Sequence, residues 1–363
     1  MSQKRPKILV APLDWGLGHA TRCIPIIKLL LEKGCEVVLA AGGIQKKLLE
    51  VEFPSLRIIS IPGYRISYGG NRALTVLKIF YQIPKILIQI NRERRWLSRF
   101  IDSEGLDGII SDNRYGLYHP RVRSIFVCHQ LAIRTPLGRI GERLLMSVHY
   151  RKISRFSACW VPDFATGTPL AGELSHPSRL PAIPLRYIGP LTRLERTQGI
   201  PDPQSLLVLL SGPEPQRSIL EKKLMGQIEN FPGKITLVRG LPGEAEIPPP
   251  RADIRLVNHL PSGELGRVIV QSGLVIARSG YSTIMDLLSL EKKAVLIPTP
   301  GQPEQEYLAG YLFGRRLAYA EDQSSFDLSA YPEKLSRFAF AAPPESDGSL
   351  LREAVDDWIA GGF

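Results

Sequence analysis

The chain has 363 residues, 44% apolar and 22% charged, which is enough for two domains with full cores and excludes a disordered or fibrous protein. Its net charge of +11 is uneven: residues 1–200 carry 30 Lys and Arg against 14 Asp and Glu, and residues 201–363 carry 16 against 21. A basic half and an acidic half predict two domains with different partners, the basic one facing an anion.

In chain order, Ser2–Lys7 leads straight into a strand, so no signal peptide is expected. Strands are predicted at 7–11, 36–41, 56–61, 108–111, 124–128 and 158–162, then at 205–210, 234–239, 254–258, 274–277 and 294–298. Helical patterns separate them, which predicts βαβ units and parallel sheets. The expected fold is therefore α/β, with two facing doubly wound Rossmann-like domains and an interdomain cleft. The expected boundaries are 1–190, a Gly/Pro/Arg-rich linker at 191–203, 204–345, and a C-terminal helix at 346–363 that packs back on the first domain. Cys23, Cys35, Cys128 and Cys159 lack metal-like or disulfide-like spacing, which predicts reduced thiols and a cytoplasmic protein. No uncharged apolar run of about 20 residues predicts a membrane-spanning helix. No helix-turn-helix, zinc finger or aromatic-rich RNA motif is present, so nucleic acid is not an expected partner.

In doubly wound sheets ligands bind beyond the C-terminal strand ends. After the first strand come Gly16, Gly18 and His19, where the glycines admit a close ligand and the imidazole at the helix start is a candidate general base. Asp112 follows the fourth strand and His129 the fifth; either shares acid/base duty with His19 or binds the acceptor, and Asp112 is placed to orient a histidine. In the second half, Ser211 and Gly212 follow the first strand, and His259 and Leu260 offer backbone hydrogen bonds to a nucleotide base. The richest stretch is Arg278, Ser279, Gly280, Tyr281, Ser282 and Thr283, a tight turn that opens a helix. Such a turn presents N–H groups at the positive end of a helix dipole and suits a diphosphate. Asp286, farther along that helix, is suited to vicinal hydroxyls, and Glu304, Gln305 and Glu306 in the next loop supply more hydroxyl-binding groups. Diphosphate, ribose and sugar together indicate a nucleotide sugar.

With these residues the chain resembles the GT-B glycosyltransferases of the family 28 type, which include the peptidoglycan N-acetylglucosaminyl transferase, most strongly over residues 254–312. The resemblance implies that Ser279 and Gly280 bind the donor diphosphate, Asp286 the ribose, Gln305 and Glu306 the sugar, and that His19 is catalytic. The family has Glu at position 286 and Gln at position 306, so the identity of the sugar is open. The resemblance also implies an inverting hexosyltransferase that needs no metal or other cofactor. The expected partners are a UDP-sugar and a glycan or lipid-linked acceptor. The apolar and basic segment 74–100 suits peripheral contact with an anionic membrane on its cytoplasmic face. The competing readings are a nucleotide-sugar epimerase or hydrolase on the same fold, and a non-catalytic binding subunit.

Overall fold

The structure, a computed structural model, describes residues 5–64, 72–135, 138–228, 231–245 and 247–361; the side chains of residues 72–80, 139 and 332 are not described. In chain order the first elements are β1 (Lys7–Pro12), α1 (Leu17–Glu32), β2 (Glu36–Ala41), α2 (Gly43–Glu52), β3 (Arg57–Ser60), α3 (Arg72–Glu104), β4 (Gly108–Asp112), β5 (Arg123–Val127), α4 (Gly138–Ile153), β6 (Ala158–Val161) and β7 (Leu185–Tyr187). The strands form one parallel sheet in the order β3-β2-β1-β4-β5-β6-β7. Ile8, Leu9, Val10 and Ala11 of β1 are all fully buried, as an apolar run between two helical layers must be. The chain order reverses between β1 and β4. There the register pairs Pro12 with Asp112 and Asp112 with Val127, so three strand ends meet at one crevice.

The later elements are β8 (Asp202–Leu209), α5 (Gln216–Ile228), β9 (Lys234–Val238), β10 (Ile254–Val257), α6 (Ser262–Gln271), β11 (Ser272–Ala277), α7 (Tyr281–Ser289), β12 (Ala294–Leu296), α8 (Pro303–Gly314), β13 (Tyr319–Ala320), α9 (Tyr331–Ser336) and α10 (Ser349–Ala360). The second sheet is also parallel, in the order β10-β9-β8-β11-β12-β13, and reverses between β8 and β11. Its core includes Leu206, Val208, Leu224, Leu237, Ile276 and Val295.

The chain divides into two compact units. One holds Met1–Ile66, Ile79–Leu191 and Ser346–Phe363; the other holds Ser67–Lys78 and Thr192–Glu345. Within the first, α10 packs Trp358 edge-on to Trp160 at 5.9 Å and accepts an ion pair from Arg186 at Asp357, 2.5 Å. A Cβ on Gly108 would lie 2.5 Å from the Trp358 ring, so this packing needs glycine there.

The chain departs from the expected elements in three places. The interval 191–203 is not all linker, because β8 begins at Asp202. Its Pro203 falls at a register shift opposite Ser272 and Leu274, where a missing N–H breaks no ladder bond. β7 and β13 were not expected. β7 is three partly buried residues just after Pro184, and β13 is two residues, so neither carries a strand-like run.

Candidate functional site

The first unit gathers His19, Asp112 and His129 around a residue that sequence reasoning missed, Arg22. Gly16 caps α1 with φ of 81°, a left-handed conformation natural to glycine, and its carbonyl accepts from Gln45 Nε2 at 3.0 Å. The Gly18 carbonyl accepts from Thr21 Oγ1 at 3.0 Å. His19 and Arg22 are three residues apart on the first turns of α1, so they share one face. β4 delivers Asp112 to that face, fully buried. The next residue, Asn113, takes a left-handed φ of 54°, which turns the chain away at once.

His19 Nδ1 lies 2.8 Å from Asp112 Oδ1. Arg22 donates to both oxygens of the same carboxylate, from Nε to Oδ2 and from Nη2 to Oδ1. Arg22 Nη2 is also 2.8 Å from His19 Nδ1, and Nη1 is 3.1 Å from His129 Nδ1. Burial would push the Asp112 carboxyl up; the Arg22 guanidinium and His19 more than offset it and hold it well below the usual carboxylate range. Burial lowers His19 and the Arg22 charge lowers it further, against the opposing pull of Asp112. His19 is thus a neutral imidazole at neutral pH, the form a general base needs.

A second buried pair braces this crevice. Arg114, fully buried, donates to Glu93 Oε1 at 2.5 Å and to the Pro12 carbonyl at 2.7 Å, while the Tyr64 hydroxyl donates to Glu93 Oε2 at 2.7 Å. This ties α3 to the strand ends that carry Asp112 and the Gly16 loop. Its sequence signal is weak, since Glu93 sits in a run of arginines that reads as a solvated face.

In the second unit the residues expected to bind the donor come together at the ends of adjacent strands. The register pairs Ala277 with Leu209 and Leu296, so Ser211 and Gly212, the turn 278–280, and the loop after β12 are neighbours. α7 starts at Tyr281 with Gly280 as cap and no side-chain capping bond from it, so Gly280, Tyr281, Ser282 and Thr283 form the positive end of that helix. Gly212 has φ of 100° and faces Thr299, whose Oγ1 would lie 3.7 Å from a Cβ there. His259 and Leu260 follow β10; Leu260 is buried, and His259 is partly buried beside Asn258, which Arg239 holds at 2.9 Å.

Several of the expected site side chains also hold the loops of this unit together. Arg278 is fully buried, and its Nη atoms donate to the carbonyls of Gln216 (2.7 Å), Pro298 (3.1 Å) and Ile297 (3.4 Å). Burial lowers its pKa to about 10. It therefore locks three loops together from beneath. Ser279 is also buried, with Oγ donating to the Gln305 carbonyl at 2.8 Å, which fixes the turn to α8. Gln305 Oε1 accepts from Thr299 N at 2.9 Å, and Glu306 Oε1 accepts from Gly301 N at 2.9 Å. Both side chains fold back on the loop after β12, while Glu304 is partly exposed in the first turn of α8. Asp286 accepts from Thr192 Oγ1 at 2.7 Å; burial raises it to about 6, against the lowering effect of Arg193.

Comparison with known proteins gives a family domain and a fold. Residues 263–338, which contain the 278–286 and 304–306 segments, match the glycosyltransferase family 28 C-terminal domain. A Methanosarcina acetivorans protein described as an uncharacterized glycosyltransferase is 26% identical over 97% of this chain and 90% of its own length. Acinetobacter baumannii MurG superposes over 96% of this chain and 93% of its own, with a TM-score of 0.52 and 15% identity. A Listeria monocytogenes protein described as a UDP-N-acetylglucosamine 2-epimerase superposes over 99% and 98%, with a TM-score of 0.61 and 12% identity. Residues 263–338 thus match a glycosyltransferase family 28 C-terminal domain, and the chain has the fold of GT-B glycosyltransferases.

Proposed function

We propose that the chain is an inverting, metal-independent glycosyltransferase that moves a hexose or N-acetylhexosamine from a UDP-sugar to a hydroxyl acceptor. The observation that carries this reading is the family 28 match lying over the β11–α7 turn, where the positive end of α7 suits a diphosphate. In the proposed step the acceptor O–H bond breaks and its proton goes to His19 Nε2. The acceptor oxygen bonds to the anomeric carbon as the bond from that carbon to the diphosphate oxygen breaks. The electron pair leaves with the nucleoside diphosphate, whose charge is met by the positive end of α7. Asp112 holds His19 in the required orientation and its carboxylate hydrogen bond stabilises the imidazolium as it forms.

The acceptor is proposed to be lipid-linked or membrane-associated. The support is an exposed stripe on α4, where Ile140, Leu144 and Val148 are 84%, 67% and 48% exposed at helical spacing, together with exposed Tyr81 and Ile88 on α3. Lys85, Arg92 and Arg143, all exposed, accompany them and suit an anionic lipid surface. Among the described residues no helix is long and apolar enough to cross a membrane.

Two assays test the reading. Incubation with UDP-sugars, with and without lipid and sugar acceptors, should give acceptor-dependent UDP release. Release without acceptor would indicate hydrolysis, and a changed sugar without release would indicate epimerisation. Sedimentation with vesicles should need anionic lipid; binding that ignores lipid charge removes the membrane part.

A further inference from the structure

Arg22 is 2% exposed and makes contact with His19, Asp112 and His129 together. A guanidinium can donate hydrogen bonds and cannot accept them. That single fact decides the protonation of its neighbours. Arg22 Nη1, 3.1 Å from His129 Nδ1, must be the donor of that bond. His129 Nδ1 must then carry the lone pair, and the ring's proton must sit on Nε2. A neutral imidazole has one basic nitrogen, and here it is already spent on Arg22.

His19 is in a different position. Its Nδ1 faces Asp112 Oδ1, an acceptor, and Arg22 Nη2, a donor, each at 2.8 Å. Only one of these bonds can form at a time. If Nδ1 accepts from Arg22, the proton lies on Nε2 and the ring is no base there. If Nδ1–H donates to Asp112, the lone pair lies on Nε2. An ionised carboxylate is the stronger partner for an N–H, and Arg22 keeps Asp112 as its own acceptor in that arrangement. The carboxylate therefore selects the basic form of His19.

We propose that Arg22 is a positioning residue that gives the two histidines opposite roles: it holds His129 as an Nε2–H donor, and it braces Asp112 so that His19 alone presents a basic Nε2. This rests on the transferase reading for its catalytic meaning, and its tautomer content stands apart from that reading. His129 is then a hydrogen-bond donor group that takes no proton from the acceptor. The same guanidinium places a fixed positive charge beside His19. The groups facing His19 are Arg22 on its own helix, Asp112 at the end of β4 and His129 after β5. Loss of the Arg22 charge leaves Asp112 unopposed and raises His19.

The test uses the full chain with 15N-labelled histidine and long-range 1H–15N correlation spectra near pH 8, with signals assigned from His19→Gln and His129→Gln. The expected result is an unprotonated Nδ1 on His129 and a protonated Nδ1 on His19. A protonated Nδ1 on His129, or an unprotonated one on His19, overturns the proposal. In Arg22→Lys, where a point charge replaces the fork, His129 should become a mixture of tautomers; an unchanged spectrum in the folded variant also overturns it. In steady-state kinetics His129→Gln, which can still accept from Arg22, should raise the acceptor KM with a kcat loss under tenfold. His19→Gln should lose at least a hundredfold in kcat. The reverse pattern overturns the assignment. If the wild-type chain transfers no sugar, the function reading fails and the spectra alone still decide the tautomers.

Discussion

Asp112 Oδ1 lies 2.8 Å from His19 Nδ1, and the same buried carboxylate takes both donors of the Arg22 fork. The pair is thus a histidine and a carboxylate whose charge is already balanced before the imidazole gains a proton. This sets the limits on what the crevice can do.

Asp112→Asn keeps the shape and removes the charge. It leaves the Arg22 guanidinium buried without its counter-ion, at a cost of about 3–5 kcal/mol in stability. Denaturant titration should show this loss, and turnover should fall with it. The wild-type pH dependence has a definite sign. Asp112 is held below its ordinary value of 3.8, so its contribution is fully present above about pH 4 and is lost as acid carries the pH down towards the folded value.

The activity profile follows from His19. Burial and Arg22 lower it from 6.5, so kcat/KM should be level from about pH 7 upward on its acid side and fall only below pH 6.5. An acid limb above pH 7 would contradict the placement of Arg22 beside the base.

Asp286 has the opposite sign. Its folded value of about 6 lies above 3.8, so the folded protein binds the proton more tightly and this group's contribution declines as pH rises from about 4 through 6. Asp286→Asn should therefore raise Tm at pH 8 and leave it nearly unchanged at pH 4. As the proposed ribose ligand it should also lose roughly tenfold or more in UDP affinity, about 1.4 kcal/mol, read by thermal shift or calorimetry.

Arg278→Met removes the donors to three buried carbonyls, Gln216, Ile297 and Pro298. A loss of about 2–4 kcal/mol in unfolding free energy is expected, and UDP binding should weaken because the loops lose their common anchor. Unchanged stability with lost binding would instead mean that Arg278 reaches the diphosphate itself.

The two parallel sheets were legible because β1 and β11 are short apolar runs followed by glycine turns and helical patterns. The polar residues at their ends follow from that, since a parallel sheet puts every such end on one edge. Arg22 was not legible as a member of the site. Its three-residue spacing from His19 was visible, but an arginine inside an apolar helix becomes informative only when β4 brings Asp112 against it. The Ser279 hydroxyl and the Gln305 and Glu306 side chains show the same limit. Residue type suggested ligand contact and gave no sign that these groups also bond to their own loops. Residue type does not encode which way a side chain faces once its loop has been closed by long-range packing.

The most direct measurement of the central claim is acceptor-dependent UDP release from UDP-sugars, with the anomeric configuration of the product read by NMR, in wild type and His19→Ala. The account predicts a product of inverted configuration and a loss of roughly two to four decades in turnover for His19→Ala, with UDP affinity retained. Wild-type rates in His19→Ala, or a product of retained configuration, would contradict it.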